Sequence, residues 1–206
     1  MAEFALARPR VTEHSPVRQL LVRAALAAGG SALVALCAHL AIPLVFTPVP
    51  LSLAPFAVVL LGLVLGPATA FASLCLYLAE GAAGMPVFSP LGPGGVLQLL
   101  GPTGGYLLSY PAAAALAGYL YQRPRRGFAR GVFSAGTASL LILLAGATWL
   151  KALTHMDIQL VLDQAVLPFL PGDVLKVVAA AGSAKLVDAV RLRRELKEFL
   201  SREHEL

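Results

Sequence analysis

Charge is what this sequence has least of. Its 206 residues carry 16 Lys and Arg and 11 Asp and Glu, 13% in all, where soluble domains average roughly 25%. From Ala24 to Gln122 the only Asp, Glu, Lys or Arg is Glu80. A water-soluble surface cannot be built from such a stretch. Cysteine is scarce as well: Cys37 and Cys75 fall in apolar segments, unpaired and without metal-ligand spacing. There is no GxxxxGK[ST] string, which excludes a P-loop, and no HExxH. No Ser, His and Asp set is placed for nucleophilic catalysis, so nothing points to bond-making chemistry. No cleavable leader is expected, because the apolar run after Arg8, Arg10, Arg18 and Arg23 continues to about Ile42, too long for a signal-peptide core.

What is present is apolar length. The chain is 58% hydrophobic with a mean hydropathy of +0.77. That fits an all-α membrane domain of about six spans at about 20 residues each, with little left for a soluble domain. The spans are read at about Gln19–Ile42, Leu53–Leu65, Ala68–Gly84, Gly104–Tyr121, Val132–Leu153 and Gly172–Val190. Gly66-Pro67 leaves almost no connection between the second and third. The domain then covers 19–190, flanked by an N-terminal segment 1–18 and a basic tail 191–206.

The pI near 9.6 does not signal nucleic acid. The basic residues lie in clusters beside the apolar segments, which is a topology pattern. One cluster holds Arg8, Arg10, Arg18 and Arg23. Another holds Arg123, Arg125, Arg126 and Arg130, and the C-terminal one includes Lys185, Arg191, Arg193, Arg194, Lys197 and Arg202. The intervening connections, 43–52, 85–103 and 154–171, have no Lys or Arg. Both termini are therefore expected in the cytoplasm of a cell whose inner membrane holds the chain among its lipids. The uncharged stretch from Met85 to Tyr106, MPVFSPLGPGGVLQLLGPTGGY, then faces outward. Its Gly and Pro content makes it a structured loop and not a span. At membrane depth, irregular backbone lines a cavity or an interface.

Two outward features meet on one face: this loop and the start of the sixth span. Asp173 and Lys176 stand three apart there and share a helix face. Charges within a span are costly and usually face a cavity or a partner. A capping role for Asp173 at the helix N-terminus is the structural alternative, but it leaves a Lys one turn deeper unexplained. In GPTGGY, Gly101, Thr103, Gly104, Gly105 and Tyr106 offer N–H groups, a hydroxyl and close approach to a polar ligand, with Thr103 as a plain N-cap the alternative. Glu80 reads as an interfacial residue before a ligand contact, Lys151 as a snorkelling cation, Trp149 and Tyr77 as interface or wall residues, and His39 as a satisfied intramembrane histidine. Ala24, Ala28 and Ala32, with Ala25 and Gly29 beside them, form a small-residue row to which another helix could pack closely.

Taken in order, TPVPLSL (47–53), LGPATA (65–70), LYLAEGAAGMPVF (76–88), GPTGGYLLSYP (101–111) and PFLPGDVLK (168–176) resemble the BioY family of biotin transporters. These are substrate-binding membrane subunits, or S components, of energy-coupling-factor transporters. The resemblance runs from about Ala24 to Val190. It implies a six-helix subunit, with no cofactor of its own, whose loop between spans three and four covers biotin. It also implies assembly with a transmembrane coupling subunit and a pair of cytoplasmic ATPases, the first docking on a face that Ala24 and Ala28 match. One departure stands out: Ala54 and Ser52 replace a Gln and a Thr common in the family. Biotin's ureido ring fits Asp173 as acceptor of an N–H, with Lys176 or Thr103 donating to the carbonyl. Its carboxylate would meet N–H groups near Gly94, Gly95 or Gly101, and Phe88, Tyr106 and Tyr110 supply an apolar wall. A related subunit for another vitamin is the nearest alternative. An intramembrane enzyme using Asp173 and Lys176 as an acid–base pair is the alternative from another class, for which the sequence offers no nucleophile or metal set.

Overall fold

The computed structural model describes residues 16–122 and 127–203. Arg8, Arg10, Arg123, Arg125 and Arg126, which carry part of the orientation argument, lie outside the described residues. The elements run α1 Pro16–His39, β1 Ala41–Ile42, β2 Leu51–Ser52, α2 Ala54–Leu65, α3 Pro67–Ala82, α4 Gly95–Leu100, α5 Gly104–Tyr121, α6 Phe128–Thr154, α7 Ile158–Ala165 and α8 Leu170–Glu203. The chain is thus mostly helical, as expected. The fourth expected span coincides with α5.

The departures have local causes. The first helix stops at His39, short of Ile42, because Ala41 and Ile42 leave it to pair antiparallel with Ser52 and Leu51. The Leu53 N–H then donates to Leu40 O at 3.0 Å, closing the hairpin just before α2. The loop from 83 to 103 contains a short helix, α4, that its Gly and Pro content does not announce. It is entered through Gly94 and Gly95, both at positive φ (72° and 59°). α7, amphipathic and short, is likewise absent from the span pattern. α3 ends in a Schellman turn: Gly84 takes φ 90°, its N–H donates to Gly81 O, and the Met85 N–H donates to Glu80 O. α8 runs unbroken through the boundary read at residue 190.

α5 is the centre of the bundle, packing on α2, α3 and α6, while α8 lies against α2 and α6 and α1 against α2 and α3. One face of α5 presents buried Ala113, Ala114, Ala117 and Gly118. A Cβ at Gly118 would meet the backbone of Gly62, Gly66 and Pro67, so the α2–α3 hairpin seats directly on α5. At this end, Tyr121 donates its hydroxyl to Asp188 Oδ2 at 2.9 Å and Arg191 donates to Val64 O at 3.3 Å, tying α8 to the bundle. Beyond these ties α8 leaves Leu192, Leu196, Phe199 and Leu200 exposed.

Among the described residues, two helices are long and apolar enough to cross a membrane alone, 17–39 and 128–154. The pair of α7 and α8, bent by 48°, makes a third if the two are counted as one broken span. α2, with 12 residues, covers about 18 Å at 1.5 Å per residue, well short of a hydrocarbon core of about 30 Å.

Candidate functional site

At the end of the bundle where α2 and α8 begin, the helices enclose a cavity of about 60 Å³. One water needs about 10–15 Å³ on this scale, so the space holds several. Its wall takes Ser52 and Ala54 from the hairpin end, Tyr77 from α3, Gln98 from α4, Thr103 from the turn before α5, Tyr106 and Tyr110 from α5, and Asp173 and Lys176 from α8. Of the three connections at this end, two are bonded to each other and the third is folded on itself. Thr47 donates its hydroxyl to Gln164 O at 2.8 Å, joining the hairpin loop to α7. Gln98, only 3% exposed, accepts from the Gly94 N–H at 3.1 Å and donates to Ser89 O at 3.4 Å, folding the glycine-rich loop around itself.

Asp173 is the charged centre of the site. It is 7% exposed and sits in the first turn of α8. Lys176 Nζ lies 3.1 Å from its Oδ1, and Ser139 of α6 donates to its Oδ2 at 3.0 Å. The carboxylate does not turn back to cap its own helix; it points across to α6. A carboxylate has about four lone-pair positions, so with one donor on each oxygen it can still accept from a ligand N–H. Lys176 likewise keeps donors beyond the one it gives to Asp173. A buried pair of this kind is a poor device for stability alone, because desolvation offsets much of the attraction.

The glycine-rich motif divides its work. Thr103 lines the cavity, and its hydroxyl reaches Gln98 O at 3.4 Å without capping α5. Tyr106 lines it too and donates its hydroxyl to Ala165 O at 2.7 Å, so its ring serves as wall while its polar end holds α7. Gly104 and Gly105 stand behind the wall: a Cβ on either would meet Leu99 O or Trp149 and Ala145 O, so they let α5 approach α4 and α6. Trp149 donates to Gly101 O at 2.9 Å, anchoring the loop from α6. Gly101 borders a separate depression, shared with Pro48 and Gly92, on the far side of Gln98. Phe88 packs edge-on to Tyr77 at 5.3 Å and fills the space above Gly81, one layer back from the cavity. Neither Gly94 nor Gly95 lines the cavity.

Other residues singled out in the sequence have plainer surroundings. Glu80 is half-buried and accepts the hydroxyl of Ser31 from α1. Lys151 is exposed on α6, and His39 Nδ1 meets Ala35 O at 2.8 Å within its own helix. Ala24, Ala28 and Ala32 are all exposed, away from the cavity, and nothing crowds Gly29 beside them. Ser139 and Gln98 carry no signal in the sequence. Ser139 is one hydroxyl among several on α6, and only the packing of α6 on α8 distinguishes it.

The chain matches the model of the BioY family over residues 9–193. It is 41% identical over 133 residues to a probable biotin transporter BioY of Pyrococcus horikoshii, covering 65% of this chain and 76% of that one. It is 34% identical over 151 residues to the biotin transporter BioY of Thermotoga maritima, covering 73% and 86%. The fold is similar to the crystal structure of the S-component for biotin from an ECF-type ABC transporter. That match has a TM-score of 0.74 and 25% identity, over 85% of this chain and 93% of that one.

Proposed function

This chain belongs to the BioY family, and on that premise we propose that it is the biotin-binding S component of an energy-coupling-factor importer. It is a transport subunit and not an enzyme. The observation that carries the site is the buried Asp173, held by Lys176 and Ser139, at the wall of an otherwise largely apolar cavity. Small-molecule sites combine such a wall with a few fixed polar groups. The ureido ring of biotin would donate an N–H to Asp173, with Lys176 or Thr103 donating to its carbonyl. Tyr106 and Tyr110 would cover the apolar bicycle, and Phe88, Gly101, Gly104 and Gly105 would hold that wall and the loop in place. Ala54 lies in the cavity wall, so the departure from the family's usual Gln would fall against the ligand.

In this reading α1, α2, α3, α5, α6 and α8 are the six membrane segments, with both termini cytoplasmic and the cavity at the outer end of the bundle. The shortness of α2 is met by the hairpin from Leu40 to Leu53, whose ends are paired backbone to backbone next to the helix. Ala24, Ala28 and Ala32 would meet a transmembrane coupling subunit, through which a cytoplasmic ATPase pair drives import. Isothermal titration of the purified chain with biotin tests the proposal. Saturable binding of one biotin per chain is expected, and no heat with biotin alongside clear binding of another vitamin would reject it.

A further inference from the structure

The polar groups around the cavity are nearly all committed. Asp173, Lys176 and Ser139 hold one another, Tyr106 is taken by Ala165 O, and Thr103 and Gln98 are engaged within the loop. Tyr77 is different. It is 0% exposed, it lines the cavity, and its hydroxyl is sealed without a hydrogen-bond partner. Three buried side-chain atoms among the described residues share that condition, on Tyr77, Arg130 and Ser134, and of these only Tyr77 borders the cavity. Its ring is held from two sides, edge-on by Phe88 and stacked with Tyr110 at 6.5 Å. Phe88 is itself fixed over Gly81, so the ring has little freedom to seek a partner elsewhere.

A buried hydroxyl with no partner is a desolvated polar group that phenylalanine would avoid in the same space. Its presence makes physical sense where something that enters the cavity completes it. We infer that the Tyr77 hydroxyl is a ligand-binding group, donating a hydrogen bond to an oxygen of the bound molecule across the cavity from Asp173. This rests on the functional reading above and deepens it. The sulfur-bearing ring has no strong acceptor, so the oxygen is either the ureido carbonyl or the carboxylate. A second polar contact would set the ligand's direction in a cavity whose one charged cluster lies on α8.

The test is Tyr77→Phe in the full chain, titrated with biotin, with a carboxylate-blocked biotin amide and with iminobiotin, alongside thermal unfolding of the ligand-free protein. Biotin should bind about three- to thirtyfold more weakly, the span expected for one hydrogen bond to a neutral or charged oxygen. The ligand-free melting temperature should stay the same or rise, because a group with no partner is removed. A loss that vanishes with the amide places the contact at the carboxylate; one that vanishes only with iminobiotin places it at the ureido oxygen. Tyr121→Phe, which cuts the distant bond to Asp188, is the control and should bind like the parent. Unchanged affinity in Tyr77→Phe overturns the inference, as does a drop in ligand-free stability that accounts for the weaker binding. Failure of the parent chain itself to bind biotin overturns the functional reading, and this inference with it.

Discussion

A single carboxylate organises the site at the scale of residues. Asp173→Asn keeps the size of the side chain but puts a donor where, in the proposed reading, an N–H of the ligand would need an acceptor. A hydrogen bond to a charged group contributes about 1.5–3 kcal/mol, so biotin should bind roughly ten- to a hundredfold more weakly. Lys176→Met keeps the apolar stem and strands Asp173 without its cation 3.1 Å away, so its effect should be at least as large. Ser139→Ala removes one donor to Oδ2 and leaves Lys176 in place, and a smaller loss, about three- to tenfold, is expected. Lys151→Met, on the exposed side of α6, should leave affinity nearly unchanged. Titration calorimetry on the set decides the matter: if the Asp173 and Lys176 variants fold normally and bind like the parent, the pair is structural. This pair is legible in the sequence because two charges three residues apart in an apolar span are costly unless they face a cavity or a partner. Ser139 is not, because a serine on an alanine-rich helix means nothing until its neighbour is known.

Among elements, close approach of helices matters more than their individual hydrophobicity. α5 and α6 meet where Gly105 faces Trp149 and the carbonyl of Ala145, and the same Trp149 holds the loop through Gly101. Gly105→Val should therefore force the helices apart, at a cost of about 1–3 kcal/mol for overpacking. Thermal unfolding in detergent should show the lower stability. Biotin affinity should fall with it, because the loop anchor moves with Trp149. Intact stability would show that α6 can shift away freely, contrary to the packing described. The far end of α8 is the opposite case. The family match ends at residue 193, while the helix continues to Glu203. None of the described residues from 194 to 203 lines the cavity, so on removal of residues 194–206 binding should remain within about twofold of the parent. Loss of binding on truncation would mean that the extension supports the bundle.

The whole molecule has one binding end and one docking face in this reading. The cavity lies at the end closed by the hairpin, the glycine-rich loop and α7, and the small-residue row of α1 lies exposed away from it. Single cysteines between Met85 and Leu100 should react with an impermeant reagent from outside the cell, whereas those from Arg123 to Arg130 should react only after permeabilisation. The reverse pattern would put the site on the wrong side for uptake. Ala28→Trp should block close approach of a coupling helix and reduce assembly with partner subunits, while biotin binding by the isolated chain survives. Lost binding with normal assembly would contradict that division of labour.

The membrane character, the helical class, the place of α5 and the Asp173–Lys176 pair were all determined by sequence alone. Each follows from a local rule: charge is excluded from spans, glycine and proline interrupt them, and residues three apart share a helix face. What needed the tertiary structure was the content of the loops and the division of labour among the glycines of one motif. A two-residue strand pair has no sequence period to detect. α4 is too short to overcome its glycine-rich setting without Gln98 turned inward to hold Ser89 and Gly94 ahead of it. The roles of Gly104, Gly105 and Phe88, set behind the cavity wall, and of Tyr77, set on it with an idle hydroxyl, depend on which helix passes within van der Waals reach. That is a property of packing in three dimensions, and no spacing along the chain encodes it.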